Sequence, residues 1–484
     1  MLPDARIVVA DGGLGLLAPD ASGLHFKVGV CSRGEVNQII PISDRDQIVA
    51  KLGTGPLVDA LFDAIGTGAS LIYAVRAVGD IAGAVGPVTA TKAGTGNVTA
   101  AGAPLDAYDV IIEVLSSGSL NVATFRYSLD GGDTYSKEIT VPAGGSYPID
   151  GTGLTLSFTA DNTNPGNSFL AGDRYAFKAT APKASVASVN GAIDAIMASN
   201  TPFEFIHVVG ESDAAMWAAM DTRAKDAETS FRYIHFLMEA RGPNAGESVD
   251  QWVTALQTAA QTFASTRVSV VAGRAEISDA NTGRVVDRNV AGLYSGRIAA
   301  IKVSRSPGRV KDGPIPGVVA LNPAGINEGH ITMLDEARYV TFRQYQGLPG
   351  FFVTNGRMMA DSTSDFRYVE LRRTMDKACR EVRLAALGFV QDEGTEAGLS
   401  DMEKRLSEPL DAMVGAGEIA AGRVVIPRDQ QIIAGAKLRT KVRIVPIGIM
   451  RAIEVEIGFE LPAATPAAAP TANPSAEGGV GNAH

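Results

Sequence analysis

Cysteine is nearly absent. The 484 residues include two, Cys31 and Cys379, too few and too far apart for a disulfide framework, so both are expected as reduced, buried thiols of a chain made in a reducing cytoplasm. No run of about 18 apolar residues occurs, which argues against a membrane-spanning helix. The opening MLPDARIVVADGG lacks the charged stretch and apolar core of a secretory signal. No basic block occurs either: 43 Lys and Arg stand against 53 Asp and Glu, a net charge of −10. A phosphate backbone would be repelled, so no nucleic-acid partner is expected.

Chemistry-bearing clusters are equally scarce. The five histidines are His25, His207, His235, His330 and His484, and no two have metal-ligand spacing. His330 with Asp335 and Glu336 is the best metal candidate, and a poor one. His207 and His235 fall in apolar strands and read as satisfied core residues rather than a catalytic pair. There is no G-x-S-x-G elbow, and the Asp and Asn residues of the middle section miss the EF-loop spacing. The GxG matches at Gly13 to Gly15 and Gly66 to Gly68 are not placed between a strand and a following helix, as a dinucleotide site requires. No catalytic residue, metal or cofactor is therefore assigned, and the chain is not expected to be an enzyme.

What is present is pattern. In residues 437–461 two segments alternate with period two, each reading as a strand with one buried and one wet face. Arg439, Lys441 and Arg443 alternate with apolar residues in the first. Glu454, Glu456 and Glu460 alternate with Ile453, Val455, Ile457 and Phe459 in the second. A hairpin turning near Gly448 to Arg451 would set Arg443 and Lys441 opposite Glu454 and Glu456. Such pairs contribute only ~0.2–1 kcal/mol each, but a one-residue slip would set charge against Ile and Val, so they fix register. A lone hairpin is not stable in water and needs further strands.

The length implies several domains. Residues 1–23 are Gly- and Asp-rich and read as an extended arm. Strands are expected at 26–31 and 69–76, and helices at 44–52 (capped by Ser43) and 56–66. The composition turns Gly-, Thr-, Ser- and Asn-rich over 86–184, where short alternating strands at 108–115, 123–128, 137–141, 154–159 and 174–179 have the spacing of a small β-sandwich. The α/β pattern then resumes, with helices at 186–199, 212–228, 248–264 and 290–303 and strands at 204–209, 231–239, 268–272, 339–344 and 350–354. Long helices follow at 364–387 and 400–415. The β-rich block thus interrupts an α/β domain, as insertions do at exposed loops. Residues 462–484, rich in Ala, Pro and Gly, should be disordered.

The sharpest local motif is Ser128-Leu129-Asp130-Gly131-Gly132-Asp133-Thr134-Tyr135. It resembles the Asp-box hairpin of sialidases, but a single copy in so short a block reads as a structural turn. The helix at 364–387 carries Arg367, Arg372, Arg373, Lys377, Arg380 and Arg383 among acidic residues. Mixed signs at spacings of three and four read as a solvated face or, nearly as well, as a subunit interface.

Segments VADGGLGLL, FKVGVCSRGEVNQIIPISDRDQIVAKLGTGPLVDALFDAI, FFVTNGRMMADSTSDFRYVELRRTMDKACREV and GRVVIPRDQQIIAGAKLRTKVRIVPIGIMRAIEVEIGFEL together resemble contractile tail sheath proteins of bacteriophages and related injection systems. The resemblance covers both outer thirds. It implies an α/β (α+β) sheath core with mixed sheets and flanking helices, an inserted all-β sandwich, and extended terminal arms. The divisions would be an arm at 1–23, a discontinuous sheath domain at 24–85 and 185–350, an outward-facing insertion at 86–184, a C-terminal core at 351–461 and the tail at 462–484. It implies a structural subunit that polymerises as a helical stack of hexameric rings around an inner tube and contracts to drive the tube through a target envelope. The place would be a virion tail or phage-tail-like particle. Partners would be copies of itself, the inner tube protein, and baseplate and tail terminator proteins, with no nucleic acid and no membrane insertion.

Sheath arms complete a C-terminal sheet in a neighbour by β-augmentation. On that likeness, Arg6, Ile7, Val8 and Val9 would form one donated strand. Lys441, Val442, Arg443, Ile444, Ile453, Glu454, Val455, Glu456 and Ile457 would form the acceptor sheet or a second donor. Head-to-tail contacts of this kind propagate rather than close. The gain from such a strand is close to the cost of ordering it, ~1–2 kcal/mol per residue, so the subunit should polymerise poorly alone and readily on a tube. Tube contact would fall to Glu403, Lys404, Arg405, Glu408 and Asp411. An alternative reading is a surface adhesin or carbohydrate-binding protein using residues 86–184.

Overall fold

The computed structural model describes residues 21–430, 435 and 437–459. The expectations for the donor strand Arg6, Ile7, Val8 and Val9 and for the tail at 462–484 lie outside them. The chain divides into two units, Met1–Ile447 and Gly448–His484.

The first unit is organised around a six-stranded sheet. Its order is Val268–Val271, His235–Ala240, Phe205–Ser212, His25–Gly29, Ile72–Arg76 and Ile39–Ile42. Neighbours pair in parallel except at the last strand, which runs antiparallel along the edge. The inner strands read as continuous apolar runs because helices cover both faces. On one face Val28, Ile206 and Met238 pack against Ile193, Trp217 and Trp252 from the helices Val186–Ala198, Ala214–Thr229 and Val249–Gln261. On the other, Leu57 and Leu61 of the helix Pro56–Gly66 cover Ile72 and Ala74, while Leu293 and Ile298 of Ala291–Ala300 cover Phe205 and Leu237.

Several helices begin where sequence chemistry directs. Ser248 and Gln251 form a reciprocal capping box, and Asp213 and Ser185 cap their helices. The cap expected at Ser43 is not formed. That helix runs Asp46–Leu52 with no side-chain cap, and the carboxylate of Asp44 instead accepts from the Asp46 amide at 3.2 Å.

Between Ile72–Arg76 and Val186–Ala198 the chain builds two antiparallel sheets. One has the order Asn97–Gly102, Leu154–Thr159, Ser146–Ile149. The other has the order Thr89–Thr91, Arg174–Ala179, Tyr108–Ser116, Thr124–Ser128, Ile139–Thr140. Val98, Leu156 and Phe158 from the first and Val110, Ile112, Phe125 and Phe177 from the second enter one apolar core. The chain leaves and re-enters side by side: the Ile81 amide donates to the Lys183 carbonyl and the Lys183 amide to the Ile81 carbonyl. In the Asp130 turn, the carboxylate accepts from the Thr134 amide at 3.0 Å and the Thr134 hydroxyl at 2.6 Å. Gly131 and Gly132 hold φ of +75° and +110°, angles suited to glycine.

A three-stranded antiparallel sheet, Val285–Asn289, Arg274–Ser278 and Val318–Asn322, follows. The helices Val369–Leu387 and Glu396–Gly415 and the paired strands Ile419–Val425 and Lys441–Pro446 complete the first unit. Residues 448–459 of the second unit form no helix or strand. Among the described residues no helix is long and apolar enough to cross a membrane.

Candidate functional site

The helix Val369–Leu387 is built into the molecule by charge. Its Arg-rich face, read from sequence as solvated or intersubunit, is internal at its N-terminal half: Arg372, Arg373 and Asp376 are buried. Arg373 donates to Glu204 from Nε at 2.5 Å and from Nη2 at 3.0 Å. Burial alone would raise the Glu204 carboxyl, but the Arg373 charge and hydrogen bonds override it and hold it down at about 2. Asp376 accepts from Arg372 and lies 3.3 Å from Arg267. Helical spacing identifies one face; it does not reveal that the charges on that face meet partners in the core. Near its middle the helix makes a further, largely buried ion pair, with Lys377 2.9 Å from Glu418.

Ala378 of this helix and Leu406, Leu410 and Met413 of Glu396–Gly415 form a small apolar core with Ile419 and Val424, against which Val442 and Ile444 pack. Gly422 lies against Leu410, where a Cβ would stand 2.7 Å from the Leu410 Cβ, so only glycine admits the helix at that distance. The sheet above this core has two strands, and neither outer edge carries a third among the described residues. Two-stranded sheets are marginal alone, and unpaired edges are templates for another strand.

The register of this sheet corrects the hairpin expected at 437–461. Lys441–Pro446 pairs with Ile419–Val425, and the residue facing Arg443 is Arg423, not a glutamate. Both arginines are exposed, and like charges set directly opposite are unfavourable. The partner strand was missed because IAAGRVV, rich in Ala and Gly, has weak alternation, whereas the segment from Ile453 alternates strongly. Within the second unit that segment has no strand, and its apolar residues are open: Ile453 is 75%, Val455 72%, Ile457 90% and Phe459 110% exposed.

Of the residues assigned to tube contact, Lys404, Arg405, Glu408 and Asp411 are exposed on Glu396–Gly415. Arg405 and Glu408 pair at 3.2 Å. Glu403 is committed within the chain: it accepts from Arg428 at 2.8 Å and from the Ile426 amide at 3.3 Å.

The titratable groups of the central sheet also find partners, with one exception. Lys27 donates from Nζ to His207 Nδ1 and to Ser295 Oγ, each at 2.7 Å. His207 Nε2 lies 2.9 Å from Glu239 Oε1. Burial pushes the Lys27 ammonium down to about 7 and the Glu239 carboxyl up to about 7. His207 is thus the satisfied core residue expected, while both ring nitrogens of His235 lack a hydrogen-bond partner among the described residues and its ring stacks on Phe205. Of the three residues weighed as a metal site, His330 bonds to Asp250 at 2.7 Å and Asp335 is held by Arg357 and Asn355. No acidic, His or Cys group suited to a metal occurs among the described residues.

The α/β layer, the helix pair and the open C-terminal sheet together have the fold of contractile sheath proteins, the class that the sequence resembles. The sheath of an extracellular contractile injection system, the PVC sheath complex in the contracted state, matches with a TM-score of 0.56 and 12% identity, over 95% of this chain and 98% of that one. The helical sheath of the anti-feeding prophage, also contracted, matches with a TM-score of 0.54 and 12% identity, over 95% and 99%. The chain itself belongs to the DUF2586 family: residues 2–357 match its N-terminal domain and residues 365–464 its C-terminal domain. A protein of Haemophilus phage HP1 (strain HP1c1) named "Putative tail sheath protein" is 28% identical over 232 residues. That alignment covers 44% of this chain and 58% of the relative, so the chain spans less than two thirds of the relative's length.

Proposed function

We propose that this protein is the structural subunit of a contractile tail sheath. Copies polymerise as a helical stack of hexameric rings around an inner tube, and contraction of the stack drives the tube through a target envelope. The observation that carries this reading is an unfinished sheet in one unit and, in the other, an exposed segment that alternates as a strand would. Among the described residues Ile419–Val425 and Lys441–Pro446 leave two open edges, while Ile453, Val455, Ile457 and Phe459 stand exposed at strand spacing. A donated segment would insert its Ile and Val side chains beside Val442 and Ile444. Its Glu454 and Glu456, two residues apart like Lys441 and Arg443, would relieve the positive charge where Arg423 faces Arg443. The N-terminal Arg6, Ile7, Val8 and Val9 supply a second short strand for the other edge.

On this reading the discontinuous domain at 24–85 and 185–350 and the C-terminal core that begins at 351 repack during contraction, and the exchanged strands keep the lattice connected. The insertion at 86–184 faces outward. Lys404, Arg405, Glu408 and Asp411 face the tube, and baseplate and terminator proteins meet the ends of the stack. Negative-stain microscopy of the protein mixed with its tube tests the proposal: striated hollow cylinders are expected, and isolated particles at all concentrations would contradict it.

A further inference from the structure

We propose that the two-sheet body between Ile81 and Lys183 seats on the α/β layer through a pH-sensitive joint, where Asp106 meets Asp59 and Asp279, and that this joint loosens as the carboxyls ionise. Such a joint belongs to the single chain and stands whether or not copies assemble. The body leaves the layer on a stem. Ile81 and Lys183 exchange backbone bonds there, and the Asp80 carboxylate accepts from the Ser185 amide at 2.7 Å. A second contact is the loop at 103–107. Its Leu105 carbonyl oxygen comes close to Gly55, at the start of the helix Pro56–Gly66: a Cβ on Gly55 would stand 3.2 Å from it. A stem of two chain segments can act as a hinge, so the loop contact sets where the body sits.

Between loop and layer lies a cavity of about 30 Å³, whose lining includes Asp59, Asp106, Tyr108, Asp279 and Arg284. It has room for a water and for no larger ligand. Negative charge is in excess there. Arg288 lies 3.0 Å from Asp59, 2.6 Å from Asp63 and 3.9 Å from Asp279, so one guanidinium serves three carboxylates. Asp106 brings a fourth from the loop, and Arg284 a second cation. Lys27 acts on Asp63 through space, and Asp130 draws on Arg284 from the neighbouring turn. Asp279 is held by the Asn281 amide at 2.8 Å and the Thr282 hydroxyl at 2.9 Å, so it cannot swing away. Tyr108, its hydroxyl pushed up by burial, stays neutral. Burial, then the charge of Asp106, pushes the Asp59 carboxyl up, and burial raises Asp63 as well. Burial pushes Asp106 up to about 6, with Asp279 adding to the rise and Arg288 and Arg284 opposing it. Released into water, Asp106 titrates near its usual 3.8. The seated state thus keeps a proton that the loosened state gives up, and seating weakens as pH rises from about 4 to about 6.

The test is dose-matched hydroxyl-radical footprinting of the full chain, read by mass spectrometry at Tyr108, which lines the joint and is 7% exposed. Tyr175, fully buried in the same body's core, is the control. Oxidation of Tyr108 is expected to rise between pH 4 and 6, by up to about tenfold per unit, while Tyr175 stays protected. Asp106→Asn, neutral at every pH, should abolish that rise and keep Tyr108 protected at pH 7. Arg284→Gln, which removes a charge that favours ionised Asp106, should move the rise to higher pH. A flat wild-type profile, an equal rise in Asp106→Asn or an unmoved midpoint in Arg284→Gln would overturn the proposal. Oxidation of Tyr175 in step with Tyr108 would overturn it too, since the body would then be unfolding rather than leaving its seat.

Discussion

Reversing Glu454 and Glu456 to lysine probes how the C-terminal sheet obtains its next strand. In the isolated chain Arg423 faces Arg443 across the two-stranded sheet, with Lys441 two residues along. A strand laid on the edge of Lys441–Pro446, with its Ile and Val side chains inward, sets its two glutamates beside Lys441 and Arg443. Each opposite-charge pair of this kind contributes ~0.2–1 kcal/mol, and like pairs oppose by similar amounts. Reversal removes two attractions and creates two repulsions, ~0.8–4 kcal/mol in all, or ~4-fold to ~1000-fold in association constant. The assay is sedimentation of the protein over a concentration series with preformed inner tube. The threshold for polymerisation should rise in E454K/E456K, most at low salt, where exposed charges are least screened. Adding Lys441→Glu and Arg443→Glu should restore much of the loss by exchanging the signs. If E454K/E456K polymerises at the wild-type threshold, or the exchanged pair recovers nothing, the assignment of that edge is refuted.

Three further outcomes are expected. Arg373→Met leaves Glu204 charged and buried without its partner, and should destabilise the folded chain by about 3–5 kcal/mol in urea unfolding; a change under ~1 kcal/mol would remove that ion pair from the account. Lys27 sits at about 7 instead of its usual 10.5, so between those values the unfolded chain holds a proton that the folded chain does not. Stability should therefore rise with pH across that window, by at most about 1.4 kcal/mol per unit, and Lys27→Met should flatten the rise in Tm; an unchanged slope would contradict it. Lys404→Glu/Arg405→Glu should weaken assembly on the tube without changing Tm, and assembly equal to wild type would dismiss the exposed face of Glu396–Gly415 as the tube contact.

Much of the α/β frame could be read in advance because its signals are local. The helix Pro56–Gly66 announces itself by proline at its first position and leucines on one face, and the buried parallel strands are short, continuous apolar runs. The strand Ile39–Ile42 escaped notice because it contains Pro41, which is tolerated only at a sheet edge, where it lies. Asn97–Gly102 and Ile419–Val425 were missed because Ala and Gly dilute alternation; both are held by their neighbours more than by their own preference. The Arg-rich helix was misplaced for a different reason. Its periodicity was legible, but the partners that let Arg373 and Asp376 be buried lie far away in sequence, at Glu204 and Arg267. The open sheet could not be read as such, since the stronger alternation at 453–459 concealed the true neighbour of Lys441–Pro446.

The account rests on a sheet that one chain leaves unfinished and another completes. Electron cryomicroscopy of particles assembled on the inner tube tests this directly, by tracing the strands that flank Ile419–Val425 and Lys441–Pro446. The account predicts strands contributed by different copies on these edges, one of them containing Ile453, Val455 and Ile457. A sheet that keeps two strands in the assembled particle, or is closed by its own chain, would contradict it.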